Sequence, residues 1–148
     1  MSVSTFSKAG PFRSDFFIDF VDHEYCLRLL AMGYKVISSS APLMLHAFGA
    51  GSLVSPDGAR GKLSITLTNR SPLRRYYMTR NGLLVAKKYF RVAPKWVLRS
   101  LASLLIFAVL KIPWERSARQ KKFIATLYGV LDALRSRTGQ ARVAWLER

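Results

Sequence analysis

The sequence predicts an α/β chain whose first part mixes short strands with one helix and whose second part is helical and strongly basic. Three observations predict it. The run Phe16-Phe17-Ile18-Asp19-Phe20-Val21 is aromatic and β-branched, the composition of a short buried strand or extended segment. Ser71-Pro72 opens a long stretch of helical spacing, with the serine placed to cap and the proline at the first helical position. Charge divides the chain near the same point: through Ala59 four Lys/Arg meet five Asp/Glu, and from Arg60 on twenty meet three. The chain therefore reads as residues 1–70, a mixed core, and residues 71–148, a basic helical region.

At 148 residues the chain is long enough for one modest domain, and with 50% apolar residues it is not disordered by composition. A net charge of +16 calls for an anionic partner: nucleic acid, an anionic membrane face, or substrate phosphates. The one cysteine, Cys26, excludes an internal disulfide framework and is expected to be a small buried hydrophobe on its helix. Met1 to Ala9 lacks the pattern of a signal peptide; Ser4 or Thr5 is expected to cap a helical turn that Gly10-Pro11 ends.

Asp22 sits where the first longer helix should start, with Cys26, Leu29 and Leu30 at helical spacing and Gly33 placed to end it. A carboxylate at that seam is favoured in its charged form by the helix dipole, which suits a general base. It equally suits a plain helix cap. Asp19, Asp22 and Glu24 lie together in a chain poor in acid, and such a cluster favours a cation or a site-specific task.

Tyr34 to Ser38 and Leu43 to Leu45 read as short strands broken by Pro42, which leaves His46 at a strand end, either as a structural residue or facing a site. The Gly, Ser, Pro and Asp content of Phe48 to Lys62 predicts a mobile loop, a reasonable lid. Leu63 to Leu67 alternates as a brief exposed strand. The helix from Ser71-Pro72 should run to about Phe90, with Leu73, Tyr76, Tyr77, Leu83, Leu84 and Tyr89 as an apolar stripe. Arg74, Arg75, Arg80, Lys87, Lys88 and Arg91 then form a basic face. That face is either solvated, or Arg74, Arg75 and Arg80 meet diphosphate or lipid phosphate. Trp96 to Trp114 is a second helix whose uncharged part, Ser100 to Leu110, is too short to cross a bilayer. Trp with Lys/Arg at both ends fits a membrane-interface anchor as well as a buried helix. Glu115 to Arg135 is a third helix, with Phe123, Ile124, Leu127, Tyr128, Leu131 and Leu134 on one side.

The string from Gly10-Pro11-Phe12 through Phe16-Phe17-Ile18-Asp19-Phe20-Val21-Asp22-His23-Glu24-Tyr25-Cys26-Leu27-Arg28 to Gly33-Tyr34 resembles the catalytic-base segment of family 2 glycosyltransferases, in their rhamnosyltransferase-like branch. Leu45-His46-Ala47-Phe48-Gly49 is similar to that family's metal-ligand histidine segment, Ser71 to Asn81 to its basic tyrosine helix, and Gly129 to Gly139 to its closing helix. The resemblance implies a partial GT-A-like α/β core, the C-terminal half, followed by the basic helical tail. It implies Asp22 as the base and Asp19, Glu24 and Tyr25 as acceptor-binding. It also implies His46 as a ligand of Mg²⁺ or Mn²⁺, an ion completed only by the N-terminal half. That half carries an Asp-x-Asp motif, and no Asp-x-Asp occurs in this chain. The chain is therefore expected to be a fragment, and inactive in isolation.

The implied reaction moves a sugar, rhamnose in this branch, from a nucleotide-sugar to a cell-surface glycan or a polyprenyl-diphosphate-linked acceptor, with inversion. The implied place is the cytoplasmic membrane face, as a peripheral protein. Two other readings remain: a non-catalytic piece that binds a membrane, a partner chain or a second copy, and a basic nucleic-acid-binding protein. The last is disfavoured, since no zinc-finger spacing, aromatic RNA-recognition motif or helix-turn-helix is present.

Overall fold

A computed structural model describes residues 2–37, 52–54, 65–67, 70–114 and 118–141. Its elements are α1 (Val3–Ala9), α2 (Val21–Ala31), strands β1 (Ser52–Val54) and β2 (Ile65–Leu67), then α3 (Pro72–Tyr89), α4 (Pro94–Ile106) and α5 (Arg119–Leu134). The strands pair antiparallel, with Leu53 opposite Thr66. The brief strand expected near Leu63 to Leu67 is β2. Tyr34 to Ile37 forms no strand, and Leu43 to Leu45, His46 and most of the Gly-rich loop lie outside the described residues.

Local chemistry sets the helix ends. The Ser71 hydroxyl accepts from the backbone N–H of Arg74 and Pro72 occupies the first turn, so α3 starts where a cap and a donor-free residue coincide. Gly33, at φ +82°, turns the chain out of α2. At α1 the cap is Ser2, which accepts from Thr5 N–H, two or three residues earlier than Ser4 or Thr5 would place it. Beyond α4 a π-helical turn, Phe107–Lys111, leads into Ile112–Trp114. Pro113 lacks the N–H that an unbroken α-helix would need there.

The central element is α3. It packs along α5, against α4, and against α2 with the turn that precedes it. Two apolar clusters flank it: Phe16, Leu27, Val85 and Tyr89 on one side, Tyr76, Tyr77 and Ala125 on the other. Contact with neighbours on several sides leaves little of α3 for solvent. Arg75, Thr79, Arg80 and Asn81 are therefore buried along with its aromatic residues. The basic face expected on this helix is correspondingly divided: Arg74, Lys87 and Lys88 are exposed, whereas Arg75 and Arg80 are inside.

The α3–α5 contact depends on small side chains. Ala125, Gly129 and Ala133 recur at a spacing of four on the buried side of α5. A Cβ on Gly129 would lie 2.7 Å from the Tyr76 carbonyl oxygen. At Gly129 no side chain fits so close an approach; Lys122 is buried with the small residues, and Phe123, Ile124, Leu127, Leu131 and Leu134 face outward. The expected apolar side of this helix is present, but on the surface. A similar inversion holds on α2. Glu24, Tyr25 and Leu27 are buried there, while Cys26 and Leu30 are exposed, which corrects the expectation of a buried cysteine.

Candidate active site

The segment before α2 is a turn. After the short 3-10 turn Ser14–Phe16, the non-glycine residues Phe17, Asp19 and Phe20 adopt φ of 65°, 57° and 64°. The strand expected over Phe16 to Val21 is absent, because α3 captures the carbonyl groups that a strand would give to a neighbour. Asn81 donates from Nδ2 to the carbonyl oxygens of Phe16, Ile18 and Asp19 at 2.9, 2.8 and 3.1 Å. Arg80, only 1% exposed, donates to the carbonyls of Phe16 and Gly139 at 3.4 and 2.7 Å and to the Asn81 amide oxygen at 3.0 Å. Left-handed backbone at a non-glycine residue costs of order 1–3 kcal/mol, and it persists where surrounding contacts over-determine it. Here the over-determining groups are the two adjacent side chains on α3.

This turn aims the start of α2. The cap position falls to Phe20, and Asp22 is the second residue of the helix. Its carboxylate therefore sits in the first turn, where the helix dipole and free N–H groups favour negative charge. The side chain is 81% exposed, with one oxygen 2.9 Å from His23 Nδ1. Desolvation opposes ionisation of Asp22, but the His23 backbone N–H and imidazole outweigh it, and the carboxyl is held below its usual range. The His23 ring lies between Phe20 and Trp96, at centroid distances of 5.3 and 5.6 Å. The result is an ionised, solvent-facing carboxylate beside an imidazole whose ring is held by two aromatic neighbours. Such a group can accept a proton from a ligand hydroxyl, and the lowered pKa makes it a weaker base than an ordinary aspartate.

The other acids of the cluster have different surroundings. Asp19 accepts from Arg74 Nε and Nη2 at 3.1 and 3.0 Å, a bidentate ion pair that joins the turn to α3. Glu24 is fully buried and meets Arg28 at 2.5 Å, Lys88 at 3.2 Å and the Tyr89 hydroxyl at 2.7 Å. Burial opposes its charge, but the Arg28, Tyr89 and Lys88 hydrogen bonds prevail and lower its pKa. Arg28 continues the network to the Ala9 and Pro11 carbonyls, each at 2.9 Å. Tyr25 is buried beside Phe12 and Phe6, at centroid distances of 4.3 and 6.4 Å. Glu24 and Tyr25 are thus interior residues in the described structure, whereas Asp22 is exposed.

The three arginines read as phosphate-binding are also placed apart. Arg74 is engaged with Asp19. Arg75 lies under α4, its guanidinium 5.1 Å from the Phe107 ring centre. Arg80 holds the turn, and its burial removes it from any phosphate-facing set. Asn81 and Trp96 are the positioning residues that sequence reasoning missed. A signal existed for Asn81, since asparagine in mid-helix is a poor helix former and needs a reason to be there. Among the described residues no three His, Cys, Asp or Glu side chains are grouped to hold a metal ion. His46, the implied ligand, lies outside the described residues.

Comparison with known proteins gives the chain a relative. It is 32% identical over 145 residues to the dTDP-rhamnosyl transferase RfbF of Shigella flexneri. The match covers 96% of this chain and 45% of that protein, so the chain spans less than half the length of the relative. Nearly the whole chain is therefore similar to part of a rhamnosyltransferase. No family model matches, and no solved structure matches.

Proposed function

We propose that this chain is the acceptor-side part of a glycosyltransferase that moves rhamnose from a nucleotide-activated donor to a glycan or polyprenyl-diphosphate-linked acceptor. The likeness to a dTDP-rhamnosyl transferase along 96% of the chain carries the reading. The exposed, ionised Asp22 at a helix start supports it. In this reading residues 1–70 belong to a GT-A-like α/β core and residues 71–148 form its helical support.

Asp22 takes the proton of the acceptor hydroxyl as that oxygen attacks the anomeric carbon. The bond from that carbon to the diphosphate breaks, the nucleoside diphosphate leaves with the electron pair, and the anomeric centre inverts. A divalent ion with His46 among its ligands would neutralise the departing diphosphate. The described side chains do not assemble that ion's site. Their part is to keep Asp22 charged and aimed, through His23 and through the turn held by Arg80 and Asn81.

Transfer of labelled rhamnose from dTDP-rhamnose to a lipid-linked acceptor tests this. The assay uses the full chain, alone and mixed with the part of the Shigella relative that the chain does not cover. Asp22→Asn is expected to lower transfer by about a hundredfold or more without weakening donor binding. Equal turnover by the variant would remove Asp22 from the reaction.

A further inference from the structure

The outward side of α4 and α5 is built unlike a surface made for water alone. On α4 and the π turn that continues it, Leu98, Leu105 and Val109 recur at spacings of seven and four, with Ile106 and Leu110 beside them, and all five are exposed. On α5, Phe123, Ile124, Leu127, Leu131 and Leu134 are exposed on the side opposite the small residues that pack on α3. The two rows join: Val109, Ile112, Phe123 and Ile124 line one groove of about 630 Å³. A continuous apolar surface of this extent marks an interaction site.

Charge identifies the occupant. Between Arg70 and Leu131 the only carboxylate in the sequence is Glu115. Lys95 and Arg99 are exposed where the α4 row begins, and Lys121 is exposed where the α5 row begins. A second copy of the chain would bring the same excess of positive charge to the contact and be repelled. A bilayer containing anionic lipid offers both an apolar interior and negative headgroups. No described helix is long and apolar enough to cross a membrane, so the contact has to lie in the plane of the surface. We infer that α4 and α5 lie flat on an anionic bilayer. Their outer apolar residues sink to the headgroup boundary, and Lys95, Arg99 and Lys121 meet lipid phosphates. This builds on the function proposed above, since a lipid-linked acceptor presents its sugar at the same boundary, but binding to lipid is measured without sugar and fails or succeeds separately.

The test is co-sedimentation of the full chain with vesicles of phosphatidylcholine alone, or with about one-third phosphatidylglycerol, at low and high salt. Binding is expected to the anionic vesicles and to weaken with salt. Leu105→Glu with Val109→Glu, and separately Phe123→Glu with Leu127→Glu, are each expected to weaken binding about tenfold or more, with helix content by circular dichroism unchanged. Lys95→Glu with Arg99→Glu is expected to weaken it similarly and to flatten the salt dependence. Three results would overturn the inference: no binding to anionic vesicles at low salt, binding untouched by the apolar-to-glutamate pairs, or a dimer in sedimentation equilibrium that those pairs dissolve while vesicle binding stays intact. The first removes the membrane, the second reduces it to charge adsorption, and the third makes a second copy the occupant.

Discussion

The inner side of α3 and the outer side of α4 and α5 invert the usual placement of side chains. Arg80, Asn81 and Glu24 are inside, at 1%, 0% and 0% exposure, while Leu134, Leu105 and Val109 stand at 73%, 65% and 59%. Each is explained by what it meets. The buried polar groups answer main-chain carbonyls and one another, so their desolvation is compensated. At Gly129 the approach of α5 to α3 leaves no room for a side chain, and the bulky apolar residues of α5 stand on its other side. Burial in this chain is thus decided by fit and by unsatisfied backbone groups before it is decided by polarity.

The largest expected effect comes from breaking the inner network. Glu24→Ala leaves Arg28 and Lys88 facing a cavity without their carboxylate. Lys88 is half exposed and can turn to water, so the loss is set by the Arg28 and Tyr89 contacts at about 2–4 kcal/mol, and the urea midpoint should fall accordingly. A loss below about 1 kcal/mol would show that the network is solvated and that the contrast between inside and outside is overstated. Next is Gly129→Ala. Helix propensity alone predicts a gain of up to about 1 kcal/mol. The contact with the Tyr76 carbonyl predicts instead a loss of about 1–3 kcal/mol, so the sign of the measured change decides between them.

Acid should act on the same inner network. The folded pKa of Glu24 lies below its ordinary value of 4.5. Its contribution is therefore complete above that value and is lost as pH falls through the folded pKa. Thermal melts should be level from neutral pH down to about pH 5 and then decline. Glu24→Gln is expected to flatten part of that decline. An unchanged slope in the variant would assign the acid sensitivity to another carboxylate, such as Asp15 beside Arg13, whose pKa is also lowered.

What could be read from sequence was the punctuation. Ser71-Pro72 and Gly33 act through their own backbone chemistry, so they stop and start helices wherever they stand. The turn over Phe16 to Phe20 was not legible, because its left-handed residues are imposed by Asn81, some sixty positions away. Composition there favoured a strand, and tertiary hydrogen bonds overrode it. For the candidate site, Asp22 was found by its place near a helix start, and the structure moves it from cap to second helical residue. The resemblance groups Glu24 and Tyr25 with it as acceptor-binding. Their helix turns them inward, a rotation that neither side chain's chemistry announces.

The smallest effect is on the outer side, and it bears most directly on the contrast. Leu105 and Leu134 face away from the helices that pack together, and they are 65% and 73% exposed. Replacing either by glutamine removes little buried surface, so folding stability should change by no more than about 0.5 kcal/mol. In an ordinary amphipathic helix the same substitution on the apolar stripe would cost several times that. A near-zero change by chemical denaturation would show that these leucines do not hold the fold together, as an outward-facing contact surface requires. A loss of about 2 kcal/mol or more would instead mean that another part of the protein covers this side, and the outer face would have to be counted as core.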